Sequence, residues 1–340
     1  MSDQKRDFHR VIGADRFFMT DQAIKKINAS GLLIWADSKT GEDLAERVRQ
    51  TNAKVIISEY FKITDRVMTA APNLKGVVVW GVGYDHVDVN AASERGIYVA
   101  NTRGSNSESV AEHVFAFILN LSRKLMQSDA FVRKGEWTSR EEAGLPRELT
   151  SHDLYRKTLG IVGFGHIGTL VARIARGFNM RVLASDPYVA AEFVKENSAE
   201  LVDLQTVLRE SDFITLHVVL TDETRNLIGT RELNLMKPTA CLVNASRGAV
   251  VDEAALVEAL RNKKIGGACL DVFSKEPIDL SNPLLEFNNV VMTPHCAGNS
   301  EEALATTAMM VSEETVRILR DEVPKNLVNR SQLLRKGTIK

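Results

Sequence analysis

The sequence lacks several features that would indicate particular classes of protein. Its three cysteines are an odd number without the spacing of metal ligands, which disfavours a metal site and suits a reducing compartment. It lacks an excess of charge, because 43 Lys+Arg stand against 44 Asp+Glu, and this disfavours a nucleic-acid binder. Its most apolar runs, at 76–81 and 114–119, are far too short to cross a bilayer. We therefore expect no metal, no nucleic-acid partner and no membrane partner.

The N-terminal segment also lacks the marks of a targeting signal. MSDQKRDFHR mixes both signs of charge and leads into no apolar stretch or small-residue cleavage site. A content of 44% hydrophobic and 26% charged residues excludes disorder as the main state. We expect a cytoplasmic globular protein, and 340 residues are enough for about two domains.

The first hundred residues alternate between short apolar runs and stretches with helical periodicity. The apolar runs predict buried strands at RVIGA, LLIWAD, KVIISEY, KGVVVWG and GIYVANT. The stretches between them have the spacing of amphipathic helices, at 20–29, 41–50, 64–71 and 86–95. Strands that alternate with helices predict an α/β domain with a doubly wound parallel sheet.

The same alternation returns at Thr158, after a helix predicted over about 107–124 and a charged excursion over 133–157. Further strands are predicted at TLGIVG, RVLASD, DFITLHV, ACLVNA, GGACLDV and NVVMTP. Helices are predicted between them at 166–178, 203–210 and 252–262. The sequence therefore predicts a second doubly wound domain.

A last helix is predicted over 299–320. Asn299 and Glu302 have the spacing of a capping box at its start. The helix is too long for a simple tail, and it could cross back to complete the first domain.

Residues 159–168 read LGIVGFGHIG and place Gly163, Gly165 and Gly168 in a G-x-G-x-x-G pattern directly after an apolar strand. The first glycine would permit a tight turn, the second the approach of a pyrophosphate, and the third close packing of helix on strand. A helix that starts near His166 would offer unpaired N–H groups to phosphate.

The strand after the fingerprint ends in an acidic residue. Asp186 follows Gly168 by 18 residues, near the spacing of the acid that binds a dinucleotide ribose. A carboxylate there could accept hydrogen bonds from both ribose hydroxyls and would repel a 2′-phosphate. The alternative is a plain turn with an incidental acid. The combination of features predicts NAD as the cofactor in preference to NADP.

Polar residues follow three later strands, where ligands usually bind in open α/β sheets. Arg247 lies in VNASRGAVVDE, Glu276 in LDVFSKEP and His295 in VMTPHCAG. Alone, each could be a surface charge, a turn residue or a buried histidine. Together they match the reduction of a 2-keto acid. Arginine offers paired donors to a carboxylate and carbonyl, histidine exchanges a proton, and a carboxylate beside it stabilises the imidazolium.

The residues of these motifs and their order along the chain resemble those of the D-isomer-specific 2-hydroxyacid dehydrogenase family over nearly the whole chain. The matching stretches are NLKGVVVWGVGYDHVD, NTRGSNSESVAEH, LGIVGFGHIG, MKPTACLVNASRGAVVDEAALVEAL, GGACLDVFSKEP and VMTPHCAG. The resemblance implies an NAD-dependent oxidoreductase that interconverts a small-molecule 2-keto acid and a D-2-hydroxy acid by hydride transfer. It also implies a Rossmann NAD-binding domain at 107–305, inserted into a flavodoxin-like substrate domain at 1–106 and 306–340.

The resemblance also assigns residues to roles. It implies that Arg247 binds the substrate carboxylate and carbonyl, and that His295, paired with Glu276, is the acid/base. It places the backbone of Val82 and Gly83 at the substrate carboxylate. The remaining implied contacts are to the cofactor, with Asp271 near the nicotinamide amide: Gly163, Gly165, His166, Ile167, Gly168, Asp186, Ala245 and Asp271.

One departure from the family pattern bears on the substrate. Arg103 stands where the family usually has proline, and it could meet a second anionic group of the substrate or face solvent. The resemblance further implies a homodimer, built from the helix after Ser107 and the excursion that follows it. Two alternatives stay open, a D-3-phosphoglycerate dehydrogenase and a non-catalytic NAD-sensing scaffold resembling transcriptional corepressors. The sequence does not identify the 2-hydroxy acid or the physiological direction.

Overall fold

The computed structural model describes residues 9–138 and 146–339. The chain divides into two compact units, one drawn from Met1–Asn106 and Ser300–Lys340, the other from Ser107–Asn299. Each unit has a parallel sheet with apolar clusters against it. Within the described ranges, no helix combines the length and apolarity needed to span a membrane.

Strands and helices alternate along most of the described chain. The strands are β1 His9–Gly13, β2 Gly31–Trp35, β3 Val55–Ser58, β4 Gly76–Val79, β5 Tyr98–Ala100, β6 Thr158–Val162, β7 Arg181–Ser185, β8 Glu200–Leu201, β9 Phe213–Leu216, β10 Cys241–Asn244, β11 Gly267–Leu270 and β12 Val290–Met292. The helices are α1 Asp21–Asn28, α2 Gly41–Thr51, α3 Asp65–Thr69, α4 Val89–Glu94, α5 Ser107–Arg123, α6 Leu125–Arg133, α7 His166–Gly177, α8 Ala191–Glu196, α9 Leu204–Glu210, α10 Thr230–Leu233, α11 Glu253–Arg261, α12 Glu301–Leu319 and α13 Arg330–Arg335. Short 3₁₀ turns lie at Arg147–Leu149, Gly248–Val250 and Pro283–Glu286.

The first unit contains a five-stranded parallel sheet in the order β2-β1-β3-β4-β5, which is the flavodoxin-like order. Successive residues of its central strands face opposite apolar clusters. Ile12 faces one cluster and Val11 the other. Burial on both faces explains why these strands read as continuous apolar runs.

Helix α12 belongs to the first unit although it lies far along the chain. It packs on α1, β3 and β4, and a Cβ on Gly76 would lie 2.5 Å from Cδ1 of Ile318. Glycine at this position therefore lets the helix approach the sheet closely.

The start of α12 differs from the prediction. Ser300 is the N-cap and its Oγ accepts the N–H of Ala303 at 3.1 Å. The capping box predicted for Asn299 and Glu302 is therefore wrong, because the cap lies one residue later and Ala303 has no side chain that could return the hydrogen bond. The predicted domain boundary, between residues 305 and 306, falls inside α12. The units divide instead between residues 299 and 300. A helix buried along one face enters a unit as a whole, so the division falls at its cap.

The second unit contains a seven-stranded parallel sheet in the order β12-β11-β10-β9-β6-β7-β8. This is the Rossmann order with one further strand at its edge. The order reverses between β6 and β9, and open α/β sheets bind their ligands outside the carboxyl ends of strands at such a point. The predicted fold class, two doubly wound parallel-sheet domains, is confirmed.

Helices cover both faces of the second sheet. Leu242 of β10 faces an apolar cluster that includes residues of α9 and α11, and Val243 faces the cluster with α5 and α7. The helix predicted over 107–124 ends at Arg123, because Lys124 adopts a left-handed conformation with φ 56° before α6 begins. No residue of α6 is buried. Part of the predicted excursion, residues 139–145, lies outside the described residues.

Candidate active site

The glycine turn between β6 and α7 has the geometry of a phosphate-binding turn. Gly163 has φ 91°, and a Cβ there would lie 2.6 Å from the carbonyl oxygen of His217. A Cβ on Gly168 would lie 2.4 Å from the carbonyl oxygen of Gly163, so α7 needs glycine here to pack on the turn. Gly165 is exposed and has open space around its Cβ position. The first and third glycines therefore shape the turn, and the second leaves room for a ligand such as a pyrophosphate.

Three other predicted cofactor contacts surround this turn or follow the next strands. His166 is exposed in the first turn of α7, whose unpaired N–H groups and dipole favour an anion. Ile167 is partly buried and packs against the apolar cluster beneath the helix. Ala245 directly follows β10 and packs partly against the same cluster.

Asp186 directly follows β7 and holds two loops together. Its Oδ2 accepts the N–H of Phe164 in the glycine turn at 2.8 Å, and its Oδ1 accepts the N–H of Tyr188 at 2.9 Å. The residue is partly exposed, and a carboxylate oxygen can accept more than one hydrogen bond. Asp186 can therefore receive ribose hydroxyls while it fixes the glycine turn.

Arg247 follows β10 in an extended backbone conformation and is partly buried. Asn244 donates from Nδ2 to the carbonyl oxygen of Arg247 at 2.9 Å, and Arg247 Nη1 donates to the carbonyl oxygen of Ser246 at 2.8 Å. A Cβ on Gly248 would lie 1.9 Å from the carbonyl oxygen of Phe273. Only glycine therefore lets the chain pass Phe273 directly after Arg247.

Asp271 follows β11 and is 1% exposed. Its Oδ1 accepts from the Thr293 hydroxyl at 2.6 Å and from the N–H of Cys296 at 2.8 Å, and its Oδ2 accepts from the N–H of Ala297 at 2.9 Å. The carboxylate therefore ties the end of β11 to the loop after β12, which carries His295.

His295 and Glu276 form a close pair. Nδ1 of His295 lies 2.7 Å from Oε2 of Glu276, and both side chains are about one-third exposed, at 31% and 33%. The other carboxylate oxygen, Oε1, accepts the N–H of Phe273 at 2.9 Å. A carboxylate that accepts from both sides has a fixed orientation, and it fixes the imidazole ring in turn.

Glu276 interacts electrostatically with the other two predicted catalytic residues, His295 and Arg247. Burial alone would raise the pKa of Glu276. Hydrogen bonds from His295 and from the Phe273 N–H, together with the charges of His295 and Arg247, outweigh burial and lower the pKa. Glu276 is therefore an anion at neutral pH, beside one imidazole and within the field of one guanidinium.

The predicted substrate residues of the first unit share one pair of loops. Asn101 donates from Nδ2 to the carbonyl oxygen of Val82 at 2.7 Å, which holds the turn that carries Gly83. Val82 and Gly83 are partly exposed. Arg103 is exposed and lies two residues after Asn101 in the second of these loops. The predicted backbone contacts and Arg103 therefore lie on neighbouring segments of one unit.

Sequence reasoning did not single out His217, which lies beside the glycine turn. Its Nε2 is 2.9 Å from Oγ1 of Thr215, and its Nδ1 is buried without a hydrogen-bond partner among the described residues. Burial lowers the pKa of His217 to about 3. The ring is therefore neutral at physiological pH.

Two further residues of the site were also missed, His113 and Thr293, although both lie within the quoted motifs. Nε2 of His113 lies 3.1 Å from the hydroxyl of Thr293. The two residues are 180 positions apart, so no local sequence pattern could have predicted their contact. Within the described ranges, no group of three or more His, Cys, Asp or Glu side chains could hold a metal ion.

Comparison with known proteins identifies the family. Residues 115–297 match the model described as D-isomer specific 2-hydroxyacid dehydrogenase, NAD binding domain. A glyoxylate reductase of Korarchaeum cryptofilum is 44% identical over 302 residues, which cover 87% of this chain and 89% of that protein. A D-3-phosphoglycerate dehydrogenase of Archaeoglobus fulgidus is 39% identical over 313 residues, which cover 92% of this chain and 58% of that protein.

A solved structure extends the similarity to the fold. D-lactate dehydrogenase from Aquifex aeolicus, complexed with NAD and lactic acid, matches with a TM-score of 0.81 and 29% identity, over 94% of this chain and 99% of that chain. The matched residues, 115–297, include the glycine turn and most of the second unit, and the curated relative covers most of the chain. The chain is therefore an NAD-dependent dehydrogenase of the D-isomer specific 2-hydroxyacid dehydrogenase family.

Proposed function

We propose that the protein interconverts a small 2-keto acid and the corresponding D-2-hydroxy acid, with glyoxylate as the first substrate to test. The observation that carries this proposal is the His295–Glu276 pair, 2.7 Å apart, with the charge of Arg247 acting on the same carboxylate. A relative named glyoxylate reductase supports a small substrate. When bound, NADH supplies the hydride, which no side chain can provide.

In this proposal, one nitrogen of His295 exchanges the proton and the other holds Glu276. Because the Glu276 carboxylate can only accept, Nδ1 of His295 carries the hydrogen that joins the pair. Nε2 is then the nitrogen that exchanges a proton with the substrate oxygen. It donates during keto-acid reduction and accepts during hydroxy-acid oxidation, while Glu276 stabilises the charged ring.

Arg247 binds the substrate carboxylate and carbonyl oxygen in this proposal. A guanidinium presents planar paired donors that suit both groups and orients the carbonyl carbon. The backbone N–H groups of Val82 and Gly83 hold the substrate carboxylate in the same proposal. This part of the proposal is supported by the hydrogen bond from Asn101, which fixes the turn that carries both residues.

The cofactor contacts are proposed residue by residue. The glycine turn and the start of α7 bind the pyrophosphate, and Asp186 binds the ribose hydroxyls. Ala245 and Asp271 contact the nicotinamide end. Asp271 Oδ2 accepts one described hydrogen bond, from Ala297, and a carboxylate oxygen can accept a second one from the nicotinamide amide.

A D-3-phosphoglycerate dehydrogenase is the second candidate, and Arg103 favours it. Arg103 is exposed and lies two residues after Asn101, which holds the turn of Val82 and Gly83, and its guanidinium could bind a phosphate or second carboxylate of the substrate. The relative with that name is 39% identical. The two candidates share their chemistry and differ in the far end of the substrate.

We also propose a homodimer that covers α6 and the segment after it. No residue of α6 is buried, and three large apolar side chains in it are more than half exposed, with Trp137 beyond it: Leu125, Met126 and Val132. A second copy of the chain would cover them. We retain a cytoplasmic location as part of the proposal, since all three cysteines are free thiols.

The test is a panel of 2-keto acids assayed with NADH: glyoxylate, hydroxypyruvate, pyruvate and phosphohydroxypyruvate. Glyoxylate is expected to give the highest kcat/KM, and a product with a chiral centre is expected to be the D-isomer. The highest kcat/KM with phosphohydroxypyruvate would favour the second candidate. Tight NADH binding without reduction of any keto acid would overturn the proposal and favour the non-catalytic scaffold.

A further inference from the structure

The loop that carries His295 is held in an unusual backbone conformation. His295 has φ 52°, which a side chain other than glycine adopts only when its surroundings enforce it. Its N–H donates to the carbonyl oxygens of Asp271 at 2.8 Å and Thr293 at 3.0 Å. The Asp271 carboxylate accepts the N–H groups of Cys296 and Ala297 on the other side of His295. Asp271 therefore fixes the loop on both sides of the catalytic residue.

A second histidine completes this arrangement from α5. The Thr293 hydroxyl lies 2.6 Å from Oδ1 of Asp271 and 3.1 Å from Nε2 of His113. The hydroxyl has one hydrogen, which it gives to the carboxylate because a carboxylate can only accept. Nε2 of His113 must therefore carry a hydrogen and donate it to Thr293. The chain of donors runs from His113 to Thr293 to Asp271.

His113 is well placed to act as a fixed anchor. Its ring packs edge-on against Phe117, with centroids 4.5 Å apart, and its side chain is 20% exposed. Burial lowers the pKa of His113, against the opposing charge of Asp271, so the ring is neutral at physiological pH. Helix α5 packs on β10, β11 and β12, the strands whose following loops carry the catalytic residues. The donor is thus attached to a rigid element.

The His113–Thr293 hydrogen bond joins residues near the two ends of the second unit. α5 begins at Ser107, where the chain enters the second unit, and the His295 loop ends near Asn299, where the chain leaves it. The His113–Thr293 hydrogen bond therefore ties the entering segment to the leaving segment.

On the proposed role of His295, we propose that His113 is a positioning residue, which acts through Thr293 and Asp271 to keep Nδ1 of His295 against Glu276. Loss of the donor on His113 leaves the Thr293 hydroxyl free to rotate away from Asp271. The loop then loses one of the bonds that hold His295 at positive φ. His295 moves relative to Glu276, while the glycine turn and Asp186 are unaffected.

The first experiment compares His113→Leu with His113→Gln. Leucine keeps the apolar bulk without a donor, whereas the glutamine amide can donate to Thr293. His113→Leu is expected to lower kcat for glyoxylate reduction about 10- to 100-fold, as small displacements of catalytic groups do. Its Kd for NADH, from fluorescence titration, is expected to stay within about twofold of the parent, and His113→Gln is expected to recover most of kcat.

The second measurement does not need turnover. An NMR titration of the His295 ring, assigned by comparison with His295→Ala, gives the pH midpoint of its protonation. The other charged or titratable groups of the pair and its loop are Arg247, which acts on Glu276, and Asp271, His113 and Cys296, which are linked to the loop through Thr293 and its backbone. The midpoint is expected to fall in His113→Leu, because the ring loses part of its contact with Glu276, and to return in His113→Gln.

Controls separate this role from a general loss of stability. His152→Leu removes an exposed histidine elsewhere in the same unit and is expected to leave kcat and the midpoint unchanged. If His113→Leu does not fold, Thr293→Val and Thr293→Ser replace the pair, since only serine keeps the bridging hydroxyl.

Two results would overturn the inference. One is a leucine variant with the parent kcat and midpoint. The other is a fall in kcat that glutamine does not restore while the midpoint stays in place, because His113 would then only fill space. If the parent enzyme reduces no keto acid, the proposed function fails, and the His295 titration still decides whether the positioning role is real.

Discussion

Replacement of Glu276 by glutamine should move the pH dependence of keto-acid reduction without removing the reaction. The carboxylate accepts two donors, His295 Nδ1–H at 2.7 Å and the Phe273 N–H at 2.9 Å. An amide has one oxygen and one NH₂ group, so a glutamine side chain at this position cannot accept both donors in the same way. Glu276→Gln therefore removes the negative charge and also weakens one of the two hydrogen bonds.

The size of the effect follows from distance and exposure. Two unit charges about 4 Å apart interact by about 4 kcal/mol at an effective dielectric constant of about 20 and by about 1 kcal/mol in bulk water. Since both side chains are about one-third exposed, at 31% and 33%, the interaction lies nearer the lower value. A loss of about 1.4 kcal/mol corresponds to one pH unit. Without the anion, the protonated imidazole is disfavoured, so reduction should be lost about one pH unit lower.

The assay is the pH dependence of kcat/KM for glyoxylate with saturating NADH, in the parent and in Glu276→Gln. Glu276→Asp serves as the control, because it keeps the charge and changes only the reach. Hydroxy-acid oxidation should extend to lower pH in Glu276→Gln, since the neutral ring persists there. A profile that stays in place or moves to higher pH would refute the reasoning. His295→Ala should lose most of kcat and keep its NADH affinity, and a rate near that of the parent would remove this pair from the mechanism.

Three further predictions concern the cofactor, the substrate and stability. The parent should use NADH far better than NADPH, and Asp186→Ser should reduce the ratio of their kcat/KM values; equal parent values would show that Asp186 does not face the ribose. Arg103→Ala should raise KM for phosphohydroxypyruvate and hardly change KM for glyoxylate, and an equal response to both would assign Arg103 to solvent. The pKa of His217 is about 3 in the folded protein and 6.5 in the unfolded chain. Between these two pH values the unfolded chain therefore binds a proton that the folded chain does not bind. The free energy of unfolding should therefore fall below pH 6.5, by at most about 1.4 kcal/mol per pH unit from this group, and His217→Gln should lack this part in urea titrations between about pH 5 and 7.5.

The strands could be predicted because both sheets are buried on both faces. Each predicted run overlaps one strand, and β1 and β2 begin one residue before their runs. Strand β8 was missed because two residues are too few to form a pattern. Four helices were also missed: α6, α8, α10 and α13. Helix α6 contributes no buried residue to the core of its unit, so no core-facing pattern marks it, and its large apolar side chains Leu125, Met126 and Val132 are more than half exposed.

The catalytic roles of Arg247, Glu276 and His295 stay a prediction, but their positions at strand ends could be predicted for a related reason. Arg247, Glu276 and His295 follow strands of one parallel sheet, so the order of strands and polar residues along the chain already places them at one edge. The role of Asp271 in holding the His295 loop could not be predicted, because it depends on backbone N–H groups that any residue would supply. The contact between His113 and Thr293 joins side chains 180 residues apart and has no trace in local spacing.

The distribution of these residues separates the chemistry from the choice of substrate. The glycine turn, Asp186 and the His295–Glu276 pair all belong to the second unit, where backbone and side-chain hydrogen bonds within that unit fix them. Arg103 and the turn with Val82 belong to the first unit and depend on the contacts of Asn101. On the proposed roles, a substitution at Arg103 is expected to change which substrates bind without disturbing proton transfer at His295. If these roles hold, substitutions in the first unit should change the substrate preference, and substitutions at His295 or Glu276 should change the rate of proton transfer for every substrate.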